Sequence, residues 1–274
     1  MVKSREGLGF SKTSSTSRNS FKSLNVLSPH RQTGLSHGSQ KSTRGTVWVS
    51  ETFTSRQGEG KLTGSETFFI RTSGCNLRCW YCDTPYASWN PGGEKISIAE
   101  IVQLAIQSGR RHVVLTGGEP LLPPESAQLC EQLQAAGFHL TVETAGTIDR
   151  ELRADLMSIS PKLRGSTPDA TAHPRWNALH QQRRMPLDVM RRLIDRSTDF
   201  QLKFVADSPH DFAEIVDVAD RLQVAASDVW IMPQGSTIEA MDQAMQWLKP
   251  WVHSQGFQYC DRMQIRWFGN RRGT

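Results

Sequence analysis

The sequence predicts an α/β fold built around a mainly parallel β-sheet. Short apolar segments alternate along the chain with longer segments of helical periodicity. Parallel neighbours need crossover connections, which helices between strands supply. We count about six strands, fewer than a closed eight-stranded barrel requires. A doubly wound sheet would give the same pattern, so periodicity alone leaves both architectures open.

The predicted strands are short and mostly apolar. They are residues 67–71, 112–116, 138–142, 156–159, 201–205 and 229–232. The predicted helices are residues 98–105, 124–137, 187–196, 210–222 and 236–254. Ser97 is the expected N-cap of the first helix, because its hydroxyl can accept a backbone N–H bond there. The stretch 163–186 is rich in arginine and proline, which predicts a loop or lid.

Composition narrows the class of protein. The chain has 274 residues, of which 37% are hydrophobic and 22% charged, as in a globular protein. No apolar run is long enough for a transmembrane helix. The net charge of +5 is uneven: residues 1–45 carry eight basic residues and one acid, which leaves −2 for residues 46–274. That balance gives no electrostatic reason to expect nucleic-acid binding by the globular part.

Two domains follow from this change in composition. Residues 1–45 are basic and serine-rich without helix or strand periodicity, which predicts a disordered extension. An organellar transit peptide or a start placed too far upstream would read similarly. Residues 46–274 are expected to form the folded domain. The five cysteines are odd in number and follow no secretory signal, which favours a reducing cytoplasm over a disulfide framework.

Three of the cysteines form the strongest motif. Cys75, Cys79 and Cys82 have the spacing Cys-x3-Cys-x2-Cys directly after a predicted strand. Thiolates suit iron–sulfur clusters or zinc. A structural zinc site wants four closed ligands, and no second Cys-x2-Cys pair exists here. Three thiolates on a [4Fe–4S] cluster would leave one iron open to a cofactor or substrate. A zinc site completed by a distant histidine or cysteine is the alternative.

The motif also carries a resemblance. With Tyr81 before the third cysteine, it resembles the loop of the radical S-adenosylmethionine superfamily. A second matching feature, Thr116-Gly117-Gly118-Glu119-Pro120, follows one strand later. In that superfamily this edge contacts the methionyl amino group of S-adenosylmethionine. Alone, the second feature would indicate only a turn.

Further segments in the same order resemble the 7-carboxy-7-deazaguanine synthase (QueE) family. They are residues 55–60, 69–75, 143–147, 158–162, 232–235 and 269–274. The resemblance implies a partial, incomplete TIM-like β/α barrel of the radical S-adenosylmethionine type. It also implies conversion of 6-carboxy-5,6,7,8-tetrahydropterin to 7-carboxy-7-deazaguanine with loss of ammonia, in queuosine biosynthesis. The implied cofactors are a [4Fe–4S] cluster, S-adenosylmethionine and Mg²⁺.

The resemblance implies partners as well. A reducing protein such as flavodoxin or ferredoxin would supply the electron, and family members are commonly homodimers. The substrate is a small pterin, so neither a membrane nor direct nucleic-acid binding is required. Nothing legible in the sequence marks a dimer interface.

The resemblance also assigns residues. Cys75, Cys79 and Cys82 would hold the cluster, and Thr84 would ligate Mg²⁺. The residues expected to bind the cofactor are Trp80, Tyr81, Cys82, Gly118, Ser160, Pro161, Lys162 and Gln234. The residues expected to bind the substrate are Arg56, Gln57, Gly58, Glu59, Arg71, Thr116 and, through its α-carboxylate, Thr274.

Physical chemistry gives some of these roles a reason. The guanidinium of Arg71 can clasp a carboxylate with two parallel bonds, although surface ion pairs are the commoner fate of arginine. An amide and a carboxylate at Gln57 and Glu59 suit the mixed donors and acceptors of a pterin. Glu143 is a further candidate polar contact at a strand end. Without the family resemblance, the Thr84 hydroxyl would be interpreted only as part of a turn after the cysteine loop.

Two other functions fit parts of this evidence. An activase of a glycyl-radical enzyme would keep the cluster chemistry but would not need residues 57–59 or this C-terminal segment. A non-catalytic zinc module, binding RNA through the basic N-terminal segment, would hold zinc and would not cleave S-adenosylmethionine.

Overall fold

The computed structural model describes residues 45–274, which form one sheet with helices packed on it. The prediction of a disordered extension over residues 1–45 therefore falls almost entirely outside the described residues. The strands in chain order are β1 (Thr46–Arg56), β2 (Glu66–Thr72), β3 (Glu94–Ser97), β4 (His112–Gly117), β5 (His139–Thr144), β6 (Leu156–Ile159), β7 (Asp199–Ala206), β8 (Val229–Pro233) and β9 (Gln258–Tyr259).

The sheet is mainly parallel and open. Its order is β3-β1-β2-β4-β5-β6-β7-β8-β9. The strands from β2 through β4 to β9 are parallel to their neighbours, whereas β1 is antiparallel to both β2 and β3. Among the described strands β3 and β9 are edges, so the sheet does not close. An unclosed parallel sheet with crossover helices confirms the partial barrel. All six predicted strands are present.

Seven helices lie within residues 45–274. They are α1 (Ile98–Gln107), α2 (Ser126–Ala135), α3 (Pro174–Arg183), α4 (Leu187–Arg196), α5 (Phe212–Arg221), α6 (Ile238–Ser254) and α7 (Met263–Phe268). The Ser97 hydroxyl accepts from the Glu100 backbone N–H at 3.2 Å, so α1 begins at its predicted cap. No helix in this part of the chain is long and apolar enough to cross a membrane.

The prediction of a loop over residues 163–186 was wrong, because α3 lies inside that stretch. Pro174 occupies the first turn of α3, where its missing N–H costs nothing. The helix has no apolar stripe, and His180 is its one fully buried side chain. The hydrophobic periodicity of Pro174–Arg183 therefore gave no sign of a helix. Strands β1, β3 and β9 and helix α7 were also missed.

The parallel strands are buried on both faces, as their nearly continuous apolar sequences require. All four residues of β6 and the central four of β4 are buried. The core includes Phe204, Ile70 and Leu115, each with no more than traces of exposed surface. The carboxyl ends of the parallel strands lie together along one edge of the sheet, where Arg71, Thr116 and Glu143 lie near the ends of β2, β4 and β5.

Candidate active site

A single cavity occupies the carboxyl ends of the parallel strands. It encloses about 1380 Å³ of empty space, part of it continuous with solvent. This is the edge at which parallel α/β folds place their sites. The residues that surround it come from β1, β2, β4–β8, the loops that follow these strands and the C-terminal segment.

The three motif cysteines all line this cavity. Two side chains fix the loop that carries them by donating hydrogen bonds to its backbone oxygens. Arg78 Nη1 donates to Cys75 O at 2.8 Å, and Trp89 Nε1 donates to Cys79 O at 3.0 Å. The guanidinium of Arg78 in turn lies 3.9 Å from the ring centroid of Trp176 in α3. Helix α3 therefore buttresses the cysteine loop.

The environment of these thiols fits an iron–sulfur cluster. Burial, followed by the charge of Glu119, raises the pKa of Cys75 to about 12, and burial raises that of Cys79 to about 11. Both side chains are therefore neutral thiols at neutral pH until a metal centre displaces their protons. No three His, Cys, Asp or Glu side chains within residues 45–274 are arranged to hold one metal ion. A cluster does not need that convergence, because each thiolate binds a different iron.

Gly118 lies where backbone segments converge beside the cysteine loop. A Cβ at this position would collide with the carbonyl oxygens of Gly74 and Ala87. Gly118 N donates to Thr72 O at 3.1 Å, which fixes the turn after β4 to the end of β2. A side chain at residue 118 is thus sterically excluded, and backbone stays close to the cavity.

Glu119 ties the same turn to the next strand. Its carboxylate is fully buried and accepts from Leu121 N at 3.0 Å, Thr144 Oγ1 at 2.7 Å and Ala145 N at 2.9 Å. Burial raises the pKa of this carboxyl despite those bonds. Within the Gly-Gly-Glu-Pro sequence, the glutamate therefore links the ends of β4 and β5.

A charged network forms the opposite wall of the cavity. Lys203 Nζ lies 2.7 Å from Glu59 Oε2 and 3.5 Å from Glu143 Oε1. Gln57 Nε2 donates to Glu143 Oε1 at 3.0 Å, and Gln57 Oε1 accepts from Glu59 N at 3.1 Å. Lys203, on β7, was not predicted from the sequence. Its only signal was a lysine placed between the apolar residues Leu202 and Phe204 of a predicted strand.

Arg262 and Gln264 join this network from the C-terminal part of the chain and were also missed. Arg262 donates to Gly235 O at 2.7 Å, lies 3.4 Å from Glu59 Oε1 and pairs with Asp83. Gln264 Nε2 donates to Glu59 Oε1 at 2.7 Å. Burial alone would raise the pKa of Glu59, but Lys203 and Arg262 outweigh it and lower the value to about 2. Glu59 is therefore an anion at neutral pH.

Arg71 enters the cavity from the end of β2. Its Nε donates to Glu51 Oε1 at 2.8 Å, and the guanidinium lies 5.8 Å from the centroid of Phe53. The Phe53 ring stacks on Phe69 at 4.9 Å. The two stacked rings give this part of the cavity an apolar surface, and the Arg71 guanidinium adds positive charge beside it.

Comparison with known proteins gives this geometry a family. The sequence profile of the Radical SAM superfamily matches residues 69–248. The 7-carboxy-7-deazaguanine synthase of Rhodopirellula baltica is 54% identical over 90% of this chain and 96% of its own length. The chain belongs to the 7-carboxy-7-deazaguanine synthase family. The relative with the same name from Halobacterium salinarum is 41% identical over 79% of this chain and 88% of its own.

The fold agrees with that family. The crystal structure of QueE from Escherichia coli superposes with a TM-score of 0.57, covering 79% of this chain and 93% of that one, at 19% identity. The chain is thus a radical S-adenosylmethionine lyase of the 7-carboxy-7-deazaguanine synthase family. It uses a [4Fe–4S] cluster and S-adenosylmethionine, acts on a small molecule and needs a reductant. The glycyl-radical activase and the zinc module are not supported.

The structure brings most of the predicted site residues to the cavity. Those that line it are Arg56, Gln57, Gly58, Glu59, Arg71, Cys75, Cys79, Tyr81, Cys82, Thr84, Thr116, Gly118, Glu143, Ser160, Lys162, Gln234 and Thr274. Trp80 and Pro161 are not among the described lining residues. The Trp80 side chain is 52% exposed, with its indole N–H on Gly165 O at 2.8 Å. Pro161 is buried between two lining residues.

Proposed function

We propose that the chain converts 6-carboxy-5,6,7,8-tetrahydropterin into 7-carboxy-7-deazaguanine and ammonia, a step of 7-deazapurine biosynthesis. The reaction contracts a ring and expels one nitrogen, with no net oxidation. The observation that carries the proposal is that three thiols, a glycine edge and a charged amide–carboxylate wall share one cavity. The first two suit the radical cofactor, and the wall suits a pterin.

Cys75, Cys79 and Cys82 hold the [4Fe–4S] cluster in this proposal and leave one iron for S-adenosylmethionine. When bound, the cluster supplies the electron that cleaves this cofactor. The protein supplies orientation and exclusion of side reactions. Gly118 offers a backbone approach without a side chain, and Tyr81 contributes an aromatic wall.

The other cofactor contacts come from the ends of β6 and β8. Lys162 Nζ donates to Ser160 Oγ at 2.6 Å, which holds both polar groups at the cavity edge. Gln234 N donates to Ala206 O at 2.8 Å, so the residue is fixed where β8 ends. Hydroxyl, ammonium and amide groups at this edge suit the ribose and carboxylate of S-adenosylmethionine. Trp80 and Pro161 act only by shaping the backbone around these groups.

The pterin is held by charge of both signs. Arg71 binds the substrate carboxylate. Glu59 stays ionised because its pKa is about 2, so it accepts N–H bonds from the pterin ring. Gln57 has its amide already fixed by Glu143 and Glu59 N, which limits the ring to one orientation. Arg56, Gly58, Thr116 and Thr274 complete the contact surface.

Mg²⁺ binds beside Thr84 in this proposal. The Thr84 hydroxyl lies 3.8 Å from Cys82 Sγ, at the boundary between the cluster loop and the pterin wall. A hydroxyl is a hard oxygen ligand of the kind that Mg²⁺ takes, so Thr84 would hold the ion, which would supply positive charge for the substrate oxygens. The neighbouring Asp83 is paired with Arg262, so the hydroxyl is the group this loop offers.

Partners and location complete the proposal. The reductant is a low-potential carrier of the flavodoxin or ferredoxin kind, and the enzyme is a homodimer; the family resemblance supports both. The location is the cytoplasm. None of the five cysteines within residues 45–274 is in a disulfide, as a reducing compartment would keep them, and an oxygen-sensitive cluster is best preserved there.

The test uses anaerobically reconstituted protein with dithionite, S-adenosylmethionine, Mg²⁺ and 6-carboxytetrahydropterin. Mass spectrometry of the products should show 7-carboxy-7-deazaguanine, and Cys79→Ala should show none. Cleavage of S-adenosylmethionine to 5′-deoxyadenosine without this product would keep the cluster chemistry but reject the substrate. Failure to cleave the cofactor, with a full complement of iron bound, would reject the assignment of the site.

A further inference from the structure

Glu51 connects three distant parts of the chain at the edge of the cavity. It lies on β1 directly opposite Arg71 of β2 in the strand register. Its Oε1 accepts from Arg71 Nε and from the Tyr86 hydroxyl, both at 2.8 Å. Its Oε2 accepts from Arg272 Nε at 2.7 Å. The carboxylate side chain is 12% exposed. The roles proposed above for the site residues include none for Glu51.

Arg272 is held on three sides by this cluster. Besides its bond to Glu51, its Nη2 donates to Ser50 O at 3.0 Å, and its guanidinium lies 4.3 Å from the Tyr86 ring centroid. Thr274, two residues further on, lines the cavity. Two residues reach at most about 7 Å, so anchoring Arg272 confines Thr274 to the cavity rim.

Arg71 is oriented by the same carboxylate. The Nε of Arg71 donates to Glu51. The two terminal nitrogens of Arg71 have no hydrogen bond or ion pair with residues 45–274. An arginine held through Nε presents the remaining pair of nitrogens end-on, which is a bidentate geometry for a carboxylate. The side chain is 16% exposed and lines the cavity, so these nitrogens are available to a bound ligand.

We propose that Glu51 and Arg272 are positioning residues. Glu51 aims Arg71 at the carboxylate of the bound pterin, and through Arg272 it holds residues 269–274 as a wall of the cavity. This inference rests on the proposed substrate. The Arg272 side chain is 55% exposed, and exposed ion pairs contribute little to fold stability. Its effect is therefore local to the site.

The first measurement is ligand affinity without turnover. Reconstituted enzyme with S-adenosylmethionine but no reductant is dialysed against 6-carboxytetrahydropterin or against tetrahydropterin lacking the carboxyl group. Glu51→Gln should raise Kd for the carboxylated ligand about tenfold and change Kd for the other less than roughly twofold. Glu51→Asp, which keeps the charge on a shorter side chain, should fall between. Equal changes for both ligands, or none, would overturn the role assigned to Glu51.

The second measurement needs no ligand. Chymotrypsin cleavage after Phe268 releases residues 269–274, and arginine substitutions leave that cleavage site unchanged. Arg272→Gln should release the peptide several-fold faster than the unaltered chain, because the tether no longer holds the segment. Arg271→Gln is the matched control: it removes the same charge one residue away and should leave the release rate unchanged. Equal rates for the two variants would overturn the tether.

The two measurements also separate this inference from the proposed substrate. If the unaltered enzyme binds neither pterin, the substrate is wrong and the role of Glu51 toward Arg71 falls with it. The peptide-release rates would still decide the role of Arg272. Melting temperatures of Arg272→Gln and Arg271→Gln should agree, since both arginines lie in an exposed segment.

Discussion

Replacing Lys203 by methionine tests whether the charged wall of the cavity is a single electrostatic unit. The ammonium is 2.7 Å from Glu59 and 3.5 Å from Glu143, and the side chain is 6% exposed. Methionine has a similar length and no charge. Lys203→Met would leave Glu143 without its cation, and Glu59 with Arg262 at 3.4 Å as its remaining cation beside the neutral Gln264 amide at 2.7 Å. The cavity would then hold two poorly compensated carboxylates.

The magnitude follows from the burial of this cluster. Breaking a buried ion pair by removing one partner costs about 3–5 kcal/mol, because the partner charge remains buried. For a folded unit of this size that corresponds to a fall in Tm of roughly 10 °C. The exposed Lys249 provides the control, and Lys249→Met should change Tm by less than about 2 °C.

The same prediction can be tested through the pH dependence of the Tm difference. Glu59 has a pKa of about 2 in the folded chain against an ordinary 4.5, so its stabilising contribution is complete above pH 4.5 and is lost as pH falls toward 2. The pKa of Lys203 is raised, so its contribution is complete at neutral pH. The Tm difference between Lys203→Met and the unaltered protein should therefore be largest near neutral pH and shrink as the pH falls toward 2, because protonation removes the unpaired carboxylate charge of the variant first. Scanning calorimetry measures it, and equal melting of the two proteins at pH 7 would refute the reasoning.

Four further substitutions test which residues belong to the cluster edge of the cavity. Gly118→Ala should abolish cleavage of S-adenosylmethionine, measured as 5′-deoxyadenosine, whereas Gly92→Ala should not, because a Cβ at Gly92 meets nothing within 4 Å. Thr84→Val should remove the stimulation of product formation by Mg²⁺ and leave iron content unchanged, since it deletes only the hydroxyl. Cys130→Ala should keep the full iron content, because Cys130 is buried in α2 away from the cavity. Loss of iron from that variant would contradict the ligand set.

The sequence was sufficient for the parts of the molecule that have local signals. Six of the seven parallel strands show as apolar segments because they are buried on both faces, and the short β9 does not. The cysteine loop and the Gly-Gly edge carry fixed spacings, and the structure places both at the same cavity. Helix α3 was missed because its sequence is polar on all sides and its contacts are made by Arg78 and Trp176 rather than by an apolar stripe.

The partners of the predicted site residues could not be predicted from the sequence, for a different reason. Lys203 and Arg262 meet Glu59 across separations of more than 140 residues along the chain. Only the order of strands in the sheet brings them together, and no spacing records that order. Glu51 was missed because the part of β1 around it, residues 50–56, is polar apart from Phe53 and shows no alternation of apolar and polar residues.

The most direct test of the proposed activity is a mass balance on one reaction. Reconstituted enzyme, S-adenosylmethionine, Mg²⁺ and reductant are incubated with 6-carboxytetrahydropterin, and ammonia and 7-carboxy-7-deazaguanine are quantified in the same samples. The proposed reaction requires equal amounts of both, and neither from Cys79→Ala, in which one cluster ligand is missing. Ammonia without the deazaguanine, or the same yield from Cys79→Ala, would contradict it.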